Sequence, residues 1–354
     1  MEDYVLRTSY KEEDVVFLLK DITGLVKPQP TSERERLIQS GKHYSEMLPI
    51  EYVPSEAYME AYREALKSFA RPTAQAVGVL SDRLMRARGD SVVLVSLARA
   101  GTPVGILIKH YLFQKYHINV PHYSISIIRG RGIDDNAMQY LLKQYRPEQL
   151  LFVDGWIGKG AILNELKKAL KAYDGVSPEI AVLADPANVT ELCGTHEDIL
   201  IPSSCLNSTV SGLVSRTFLR EDIIKEGDFH GAVYYGELKD ADLSYDFIHH
   251  IENEFSMDEA SDTPSVPGKG MDEVRKLAQV FGIDDINFIK PGIGEATRVL
   301  LRRIPWKILV DEKYLHDPAL EHLLRLAEEK KVPVETYPLC HYKCAGIIKK
   351  LADA

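Results

Sequence analysis

Residues 91–105 read SVVLVSLARAGTPVG, in which a continuous apolar run, residues 91–97, ends in a glycine turn that leads into an apolar helix. Similar runs, separated by helical stretches, recur at residues 123–128, 150–154, 179–184 and 198–202. Continuous β-branched runs that alternate with helices are typical of a parallel sheet covered on both faces. The sequence therefore predicts an α/β fold whose ligands bind beyond the carboxyl ends of the strands.

The composition is that of a globular protein of about two domains. The chain has 354 residues, of which 45% are hydrophobic and 27% charged, and common domains have about 150 residues. No run approaches the roughly 20 apolar residues that a membrane span needs. The first ten residues include Glu2, Asp3 and Arg7 instead of a signal sequence. We therefore predict a cytoplasmic protein without membrane contact, and four cysteines, too few for a disulfide framework, predict free thiols.

Charge is unevenly divided along the chain. The net charge of −9 argues against a protein that coats nucleic acid indiscriminately. From Lys269 onward there are 15 basic and 13 acidic residues, whereas the remainder has 28 basic and 39 acidic ones. Residues 256–270 are rich in Pro, Gly and Ser, which predicts a linker. We therefore place one domain at residues 1–255 and a second, able to meet a polyanion, at residues 271–354.

Periodicity predicts further elements on either side of the sheet-forming runs. Two helices are expected before the first run, at residues 14–20 and 55–70, the second with a start at Ser55. After the linker the expected elements are helices 271–281, 295–303 and 319–330, strands 306–310 and 333–337, and a last helix from Lys343. This order suffices for a small α/β sandwich.

Three segments that follow strands contain groups able to bind a phosphorylated ligand. The first comprises Arg99, Ala100, Gly101 and Thr102, where a glycine turn and a helix N-terminus attract phosphate. Any strand-to-helix turn uses glycine, so an ordinary turn is the alternative interpretation. The second contains Arg129 and Arg131 between glycines, a mobile cationic segment able to fold over an anion or, alternatively, a solvated loop.

The third segment combines an acid with a glycine turn. Asp154 ends an apolar run and can accept hydrogen bonds from sugar hydroxyls. The amides that follow point into a phosphate at the start of the next helix, and they belong to Gly158, Lys159, Gly160 and Ala161. Because the full spacing of an ATPase phosphate loop is missing, Lys159 is not interpreted as the lysine of that loop. An acid joined to an anion cradle predicts a sugar phosphate.

This combination resembles the phosphoribosyltransferase arrangement and, more closely, its StiP-type, tellurite-resistance-associated branch. The resemblance covers roughly residues 5–255 and rests on GKHYSEMLPIE (41–51), LARAGTPVG (97–105), SIIRGRGID (126–134), VDGWIGKGA (153–161) and IPSSCLNSTVSGLVSRT (201–217). The fold that it implies is a phosphoribosyltransferase-like parallel sheet flanked by helices.

The resemblance implies phosphoribosyl pyrophosphate as substrate, with Arg99–Thr102 at the pyrophosphate and Gly158–Ala161 at the 5-phosphate. Arg129, Arg131 and Asp154 are the implied catalytic residues, and Mg²⁺, with Asp154 as its ligand, is the implied cofactor. Asp154 is followed by Gly155, where the family pattern has a second acid. Whether transfer, hydrolysis or only binding occurs therefore stays open.

The tail resembles the pelota RNA-binding module, on FIKPGIGEATRVLLRR (288–303), PWKILVD (305–311) and YPLCHYKCAGII (337–348). The implied partner is structured RNA, with protein docking as the alternative role. The candidate RNA contacts are Lys290, Gly292, Gly294, Arg298, Arg302, Arg303 and Lys343.

Polar residues near the apolar runs are candidates for binding the acceptor of the transfer. They are His43, Glu46, Ser203, Asn207, Ser208 and Arg216. His43 and Glu46 could equally tie down their own loop. Cys205 is a candidate thiol nucleophile if folding supplies His43 or His196, although a buried thiol is the commoner role. Cys340 and Cys344 are too few ligands for zinc.

We therefore predict transfer of a phosphoribosyl group to an unknown nitrogenous base, coupled to RNA binding. Two alternatives stay open, a nucleotide-sensing RNA-binding regulator without turnover and a cysteine protease that uses Cys205. The sequence does not decide the acceptor, the RNA or the oligomeric state, a homodimer included. A role in stress or tellurite resistance is implied by the resemblance alone.

Overall fold

The computed structural model describes residues 6–258 and 267–350, and its N-terminal part contains ten strands in the described residues. These strands are β1 (Val16–Phe17), β2 (Lys20–Asp21), β3 (Val93–Leu97), β4 (His122–Ile125), β5 (Ile127–Ile128), β6 (Gly132–Ile133), β7 (Leu150–Trp156), β8 (Ile180–Ala184), β9 (Cys193–Thr195) and β10 (Gly231–Ala232). Six of them form a sheet in the order β1–β4–β3–β7–β8–β9, in which every pair is parallel. The parallel sheet predicted from the apolar runs is confirmed.

Helices cover both faces of this sheet. They are α1 (Thr31–Gln39), α2 (Glu56–Arg88), α3 (Gly101–Tyr116), α4 (Asp135–Leu142), α5 (Ala161–Ala169) and α6 (Ser244–Glu252). Leu94, Leu151 and Val153 point to one face, where they pack with α2, α3 and α6. Val95 and Phe152 point to the other face, where α4 and α5 lie. This alternation explains why the central strands are buried along their whole length and read as continuous apolar runs.

The C-terminal part is a four-stranded sheet with helices. Its elements are α7 (Gly270–Val280), β11 (Ile289–Pro291), α8 (Ile293–Arg302), β12 (Pro305–Val310), α9 (Glu321–Glu329), β13 (Val334–Thr336) and β14 (Cys344–Ile348). The strand order is β11–β14–β12–β13, with antiparallel pairs on both sides of β14 and a parallel pair β12–β13. The predicted small α/β sandwich is therefore present.

The two parts share an apolar core. Ile293, Ala296 and Leu300 on α8 belong to the same cluster of buried side chains as α2 and Leu206. Asp198, which is buried, accepts hydrogen bonds from the backbone N–H groups of Ile293 at 3.0 Å and Lys343 at 2.9 Å. The C-terminal part is consequently fixed against the N-terminal part through contacts of both kinds.

Three sequence predictions of secondary structure are wrong. Residues 14–20 contain the short strands β1 and the start of β2 instead of a helix, because β1 extends the sheet beside β4. Residues 198–202 form no strand, since Asp198 caps the C-terminal part there. The last predicted helix is β14, five consecutive buried residues that occupy a central position in their sheet.

The predicted linker is described only at its ends, because residues 259–266 lie outside the described residues. Its last residues contact the N-terminal part. The backbone N–H of Gly270 donates to the carbonyl of Ala187 at 3.1 Å, and the amide of Asn188 donates to the carbonyl of Gly268 at 2.9 Å. Across the described ranges, no helix is both long and apolar enough to cross a membrane.

Candidate functional site

A cleft of about 820 Å³ lies between the two parts, beyond the carboxyl ends of β3 and β7. Its floor is formed by the loops that follow these strands, and β11 and α8 form the opposite wall. Ten basic and three acidic side chains of the described residues line it. This excess of cations is typical of a site for anionic ligands.

Asp154 lines the cleft from within β7, which continues for two residues beyond the strand end that the sequence predicted. Its Oδ1 accepts a hydrogen bond from the N–H of Gly155 at 2.8 Å. Burial raises the pKa of Asp154 to about 6, although the Gly155 N–H and the Arg298 guanidinium act in the opposite direction. The carboxyl group can therefore change its charge close to neutral pH.

The turn that follows β3 faces the cleft only in part. Arg99 and Ala100 line the cleft, but the Thr102 hydroxyl is buried against Ser124 at 2.8 Å. Gly101 is required here, since a Cβ at this position would lie 2.2 Å from the carbonyl oxygen of Val153 on β7. The turn thus places its backbone, rather than the hydroxyl of Thr102, at the ligand space.

The Arg99 side chain is already engaged by the protein. It is buried, lies 3.2 Å from Glu51 Oε1 and donates to the carbonyl of Val214. Two sequence-predicted pyrophosphate contacts, the Arg99 guanidinium and the Thr102 hydroxyl, are therefore used for structure. The sequence pattern could not show this, because Glu51 and Val214 are distant in the chain.

The two arginines after β4 have different positions. Arg129 lines the cleft, where its guanidinium donates to Asn287 Oδ1 of the C-terminal part at 2.8 Å. Arg131 is turned away, and it pairs with Glu46. Of the two arginines expected to cover the ligand, the structure thus places Arg129 at the lining of the cleft and Arg131 outside it.

The glycine turn before α5 lies in the cleft, as predicted. Gly158, Lys159, Gly160 and Ala161 line it, and Gly160, with a φ of 83°, directly precedes α5. Lys159 is buried and donates to the carbonyl of Ile289 at 2.9 Å, so its side chain binds the C-terminal part. Burial, together with Lys290, lowers the pKa of Lys159 to about 7. The groups of this turn that can bind an anion are therefore the backbone N–H groups at the N-terminus of α5.

The cations of α8 and β11 face the cleft and not a free surface. Lys290, Arg298, Arg302 and Arg303 line it, together with Glu295. Arg298 stacks on the Trp156 ring at 4.3 Å and lies 3.4 Å from Glu295 Oε1. These side chains, predicted as RNA contacts, contribute to the same site as Asp154.

The other predicted RNA contacts lie outside the lining of the cleft. A Cβ on Gly294 would lie 2.5 Å from the Trp156 ring, and one on Gly292 would lie 3.2 Å from Asp198 Oδ1. Both glycines therefore permit close contact between the two parts rather than approach to RNA. Lys343 pairs with Asp317 at 2.7 Å.

Of the residues predicted to bind the acceptor, Arg216 lines the cleft, and its guanidinium stacks on the Tyr44 ring at 4.4 Å. His43 and Glu46 instead hold the β5–β6 ribbon, through the Arg129 carbonyl and Arg131. Asn207 Oδ1 accepts from Arg302 Nε at 2.6 Å, and the Ser208 hydroxyl donates to Glu51 at 3.4 Å. Ser203 lies in the short helix Pro202–Cys205 and is not part of the lining.

Arg34 belongs to the site, although no sequence pattern predicted it. This side chain is on α1, lines the cleft and is only 3% exposed. Its Nε has no hydrogen-bond partner among the described residues. The segment around it was recognisable as polar, but no pattern marked this one arginine.

Cys205 lacks the surroundings of a nucleophile. Its side chain is fully buried, burial raises its pKa to about 12, and no described histidine contacts it. His43 and His196, the proposed bases, bind other groups. Cys193 is the thiol that has a histidine, with His196 Nε2 at 3.5 Å and Asp185 Oδ2 lying 3.6 Å from His196 Nδ1. The spacing Cys193-x-x-His196 was the available signal.

Within residues 6–258 and 267–350, no three His, Cys, Asp or Glu side chains come together as a metal site. Mg²⁺ often uses one or two carboxylates and takes its other ligands from water and substrate phosphates. Asp154 fits that donor set. The Gly155 N–H binds its Oδ1, so Oδ2 can bind a metal ion.

Comparisons with known proteins agree with the sequence resemblances. The family described as tellurite-like stress resistance cysteine protease StiP matches residues 8–252, and the PELOTA RNA binding domain matches residues 268–350. The chain is 37% identical over 365 residues to a protein of Acinetobacter baylyi named cysteine protease StiP, with 97% of this chain and 94% of that protein covered.

Solved structures overlap with a smaller part of the chain. A hypoxanthine-guanine phosphoribosyltransferase from Bacillus anthracis is 17% identical, with 38% of this chain and 71% of that chain covered, at a TM-score of 0.21. A xanthine-guanine-hypoxanthine phosphoribosyltransferase from Helicobacter pylori is 20% identical, with 32% and 70% covered, at a TM-score of 0.20. Overlaps this limited say nothing about activity. The match over residues 8–252 and the 37% identity show that the chain belongs to the StiP family.

Proposed function

We propose that the cleft binds 5-phosphoribosyl pyrophosphate and transfers its phosphoribosyl group to a nitrogenous base. The observation that carries this proposal is the position of Asp154, a carboxyl group near the carboxyl end of β7 in a cleft lined by ten basic and three acidic side chains of the described residues. Sugar hydroxyls need an acceptor such as this carboxylate, and the phosphates of the donor need the cations.

We infer one orientation for the donor on the floor of the cleft. The 5-phosphate binds at the N-terminus of α5, where the backbone N–H groups of Gly160 and Ala161 and the helix dipole favour negative charge. The ribose hydroxyls then lie toward Asp154, and the diphosphate lies along the backbone of Ala100.

The reaction moves negative charge onto the leaving group. The bond between the ribose C1 atom and the pyrophosphate oxygen breaks with its electron pair on oxygen. The acceptor nitrogen forms the new bond to C1 and releases its proton to solvent water. Arg129 and Arg298, which approach the cleft from opposite parts of the chain, stabilise this charge by electrostatic attraction. Mg²⁺, held by Asp154, would supply further positive charge to the pyrophosphate.

The test is pyrophosphate release in the presence of candidate bases. Asp154→Asn is expected to lower the rate at least 100-fold, because it removes the charge that orients ribose and metal. Asp174→Asn, an exposed acid before β8, is the matched control and should retain the rate. Tight binding of the donor without release supports the sensor alternative, and no binding to the wild type contradicts the proposal.

RNA binding is proposed for a different face of the C-terminal part. Trp306 is 41% exposed at the start of β12, and the Lys307 ammonium lies 4.4 Å from its ring. Phe281 packs edge-on against the same ring. Aromatic rings with adjacent cations bind unpaired bases by stacking, which makes this the face for structured RNA with splayed bases.

A second candidate function is peptide hydrolysis by Cys193. The specific observation is the thiol, imidazole and carboxylate series of Cys193, His196 and Asp185. Burial of the thiol weighs against it, because burial and Asp185 raise its pKa to about 11. Loss of hydrolysis of a denatured protein substrate in Cys193→Ala, with Cys205→Ala as the matched control, would support this candidate; equal activity of both variants contradicts it.

A further inference from the structure

The cleft has two ends with different chemistry. One, the sugar end, contains Asp154, Glu295 and Arg298, whose charges act on one another. The other, the arginine end, is defined by Arg34, Arg99, Arg216, Arg302 and Arg303. Burial and the neighbouring Arg34, Arg99 and Arg303 lower the pKa of Arg216, whereas Tyr44 raises it. The proposed donor occupies the sugar end, which leaves the arginine end for another group.

Two carboxylates near the arginine end are already paired. Glu51 lies 3.2 Å from Arg99, and Glu35 accepts from Arg303 at 2.6 and 2.9 Å. The other three guanidinium groups have no carboxylate partner in the described part of the chain. Arg302 binds the neutral amide oxygen of Asn207, and Arg216 stacks on Tyr44. Arg34, Arg216 and Arg302 therefore have no ion pair among the described residues, although the charge of Glu51 acts on Arg34 and Arg302 from a greater distance.

Arg34 is the clearest of these three. It is 97% buried, its Nε is unpartnered among the described residues, and it borders the cleft. Burial lowers its pKa, with Arg303 acting in the same direction. A buried cation without a partner is costly, so its presence at the wall of a cleft indicates an anion that compensates it when bound.

We propose that Arg34, Arg216 and Arg302 form a subsite for an acidic group of the acceptor, so that the acceptor is a nitrogenous base that bears a carboxylate. This inference rests on the proposed transfer function. Guanidinium groups match the planar carboxylate with paired N–H donors. The partly buried Tyr44 ring beneath Arg216 also holds that guanidinium in place.

The experiment is a calorimetric titration with probe pairs that differ only in a carboxylate. The pairs are orotate with uracil and nicotinate with nicotinamide, each titrated into the enzyme alone and into the enzyme saturated with 5-phosphoribosyl pyrophosphate and Mg²⁺. At least one acid is expected to bind ten-fold more tightly than its uncharged partner. Arg34→Gln and Arg216→Gln should reduce this preference below three-fold, and Arg36→Gln, an exposed arginine on the same helix, should keep it.

The outcomes separate this inference from the proposed function. Equal binding of both members of each pair, or a preference that survives in Arg34→Gln, overturns the subsite. If Arg34→Gln instead weakens donor binding ten-fold, the arginine end binds the diphosphate and the inference is wrong. If the wild type binds no donor, the proposed function fails, while the titrations into the enzyme alone still test the anion subsite.

Thermal unfolding without ligand distinguishes a binding role from a structural one. Because the Arg34 Nε donates to no group of the described residues, Arg34→Gln is expected to keep or raise the melting temperature. A fall of several degrees would show that Arg34 stabilises the fold and would contradict the subsite. Inorganic phosphate should raise the melting temperature of the wild type more than that of Arg34→Gln.

Discussion

The loop after β7 and helix α8 contribute to one cleft, but only the loop can be recognised from the sequence as part of a ligand site. Asp154 lies near the carboxyl end of β7 and Gly160 follows that strand, and the geometry of a parallel sheet places both at a ligand site. Arg298 and Arg302 lie four residues apart on a helix, which fixes their common face but not what that face meets. Local sequence patterns thus predict where a residue lies in its own strand or helix. They do not predict which other part of the molecule the face of a helix contacts.

The largest expected effect comes from breaking the attachment between these two regions. Asp198→Ala removes the acceptor of the buried Ile293 N–H and of the partly buried Lys343 N–H. Each unsatisfied buried N–H costs about 1–3 kcal/mol, so the free energy of unfolding should fall by about 3 kcal/mol. Urea denaturation measures this, with the exposed Asp284→Ala as control. A loss below about 0.5 kcal/mol would mean that the attachment is of little importance.

The next prediction compares two faces of the C-terminal part, the face in the cleft, which contains Arg298, and the face that contains the exposed Trp306. Trp306→Ala is expected to weaken binding of a structured RNA at least ten-fold, since stacking of one base contributes about 1–3 kcal/mol. Arg298→Gln should change RNA affinity less than three-fold, because Arg298 faces Trp156 and Glu295. Filter binding at fixed salt measures both affinities. The opposite order would mean that RNA enters the cleft.

The third effect is a pH dependence at the sugar end. Burial raises the pKa of Asp154 to about 6, so the carboxylate that the donor needs is lost as the pH falls through that value. Affinity for 5-phosphoribosyl pyrophosphate should therefore fall about ten-fold between pH 7 and pH 5. Asp154→Asn should bind weakly at every pH between these limits. A wild-type affinity independent of pH would contradict the role of this carboxylate.

The smallest effect is expected at the buried thiols. Cys193, Cys205 and Cys344 are buried, whereas Cys340 is exposed. Iodoacetamide should therefore modify the native protein at Cys340 first, as peptide mass mapping can show. Cys205→Ala should leave pyrophosphate release within three-fold of the wild type. Rapid alkylation of Cys193 would instead favour the protease candidate.

The accuracy of sequence reasoning in this chain depended on the distance between interacting residues. The apolar runs of β3, β7 and β8 predicted the parallel sheet, and Ser55 marked the start of α2, because these signals are local. Asp154 and the glycine turn before α5 were found for the same reason. The engagement of Arg99 by Glu51, and of Arg131 by Glu46, involves partners 48 and 85 residues away. Periodicity contains no information about such pairs.

Burial can also be mistaken for helical periodicity. The sequence predicts a helix for the residues of β14, yet all five are buried and form a strand between β11 and β12. Arg34 illustrates the complementary difficulty in the site. Its neighbours Glu33 and Arg36 are exposed and chemically similar, so only the packing of α1 distinguishes the buried arginine.

The central claim is that both parts of the chain build one anion-binding cleft. The most direct test is calorimetric titration of 5-phosphoribosyl pyrophosphate with Mg²⁺ into the wild type, Arg298→Gln and Arg275→Gln. Arg298 is in the cleft, whereas Arg275 is an exposed arginine of the same part on α7. We expect Arg298→Gln to weaken binding at least ten-fold and Arg275→Gln to leave it unchanged. Equal affinity of all three proteins would contradict a composite site.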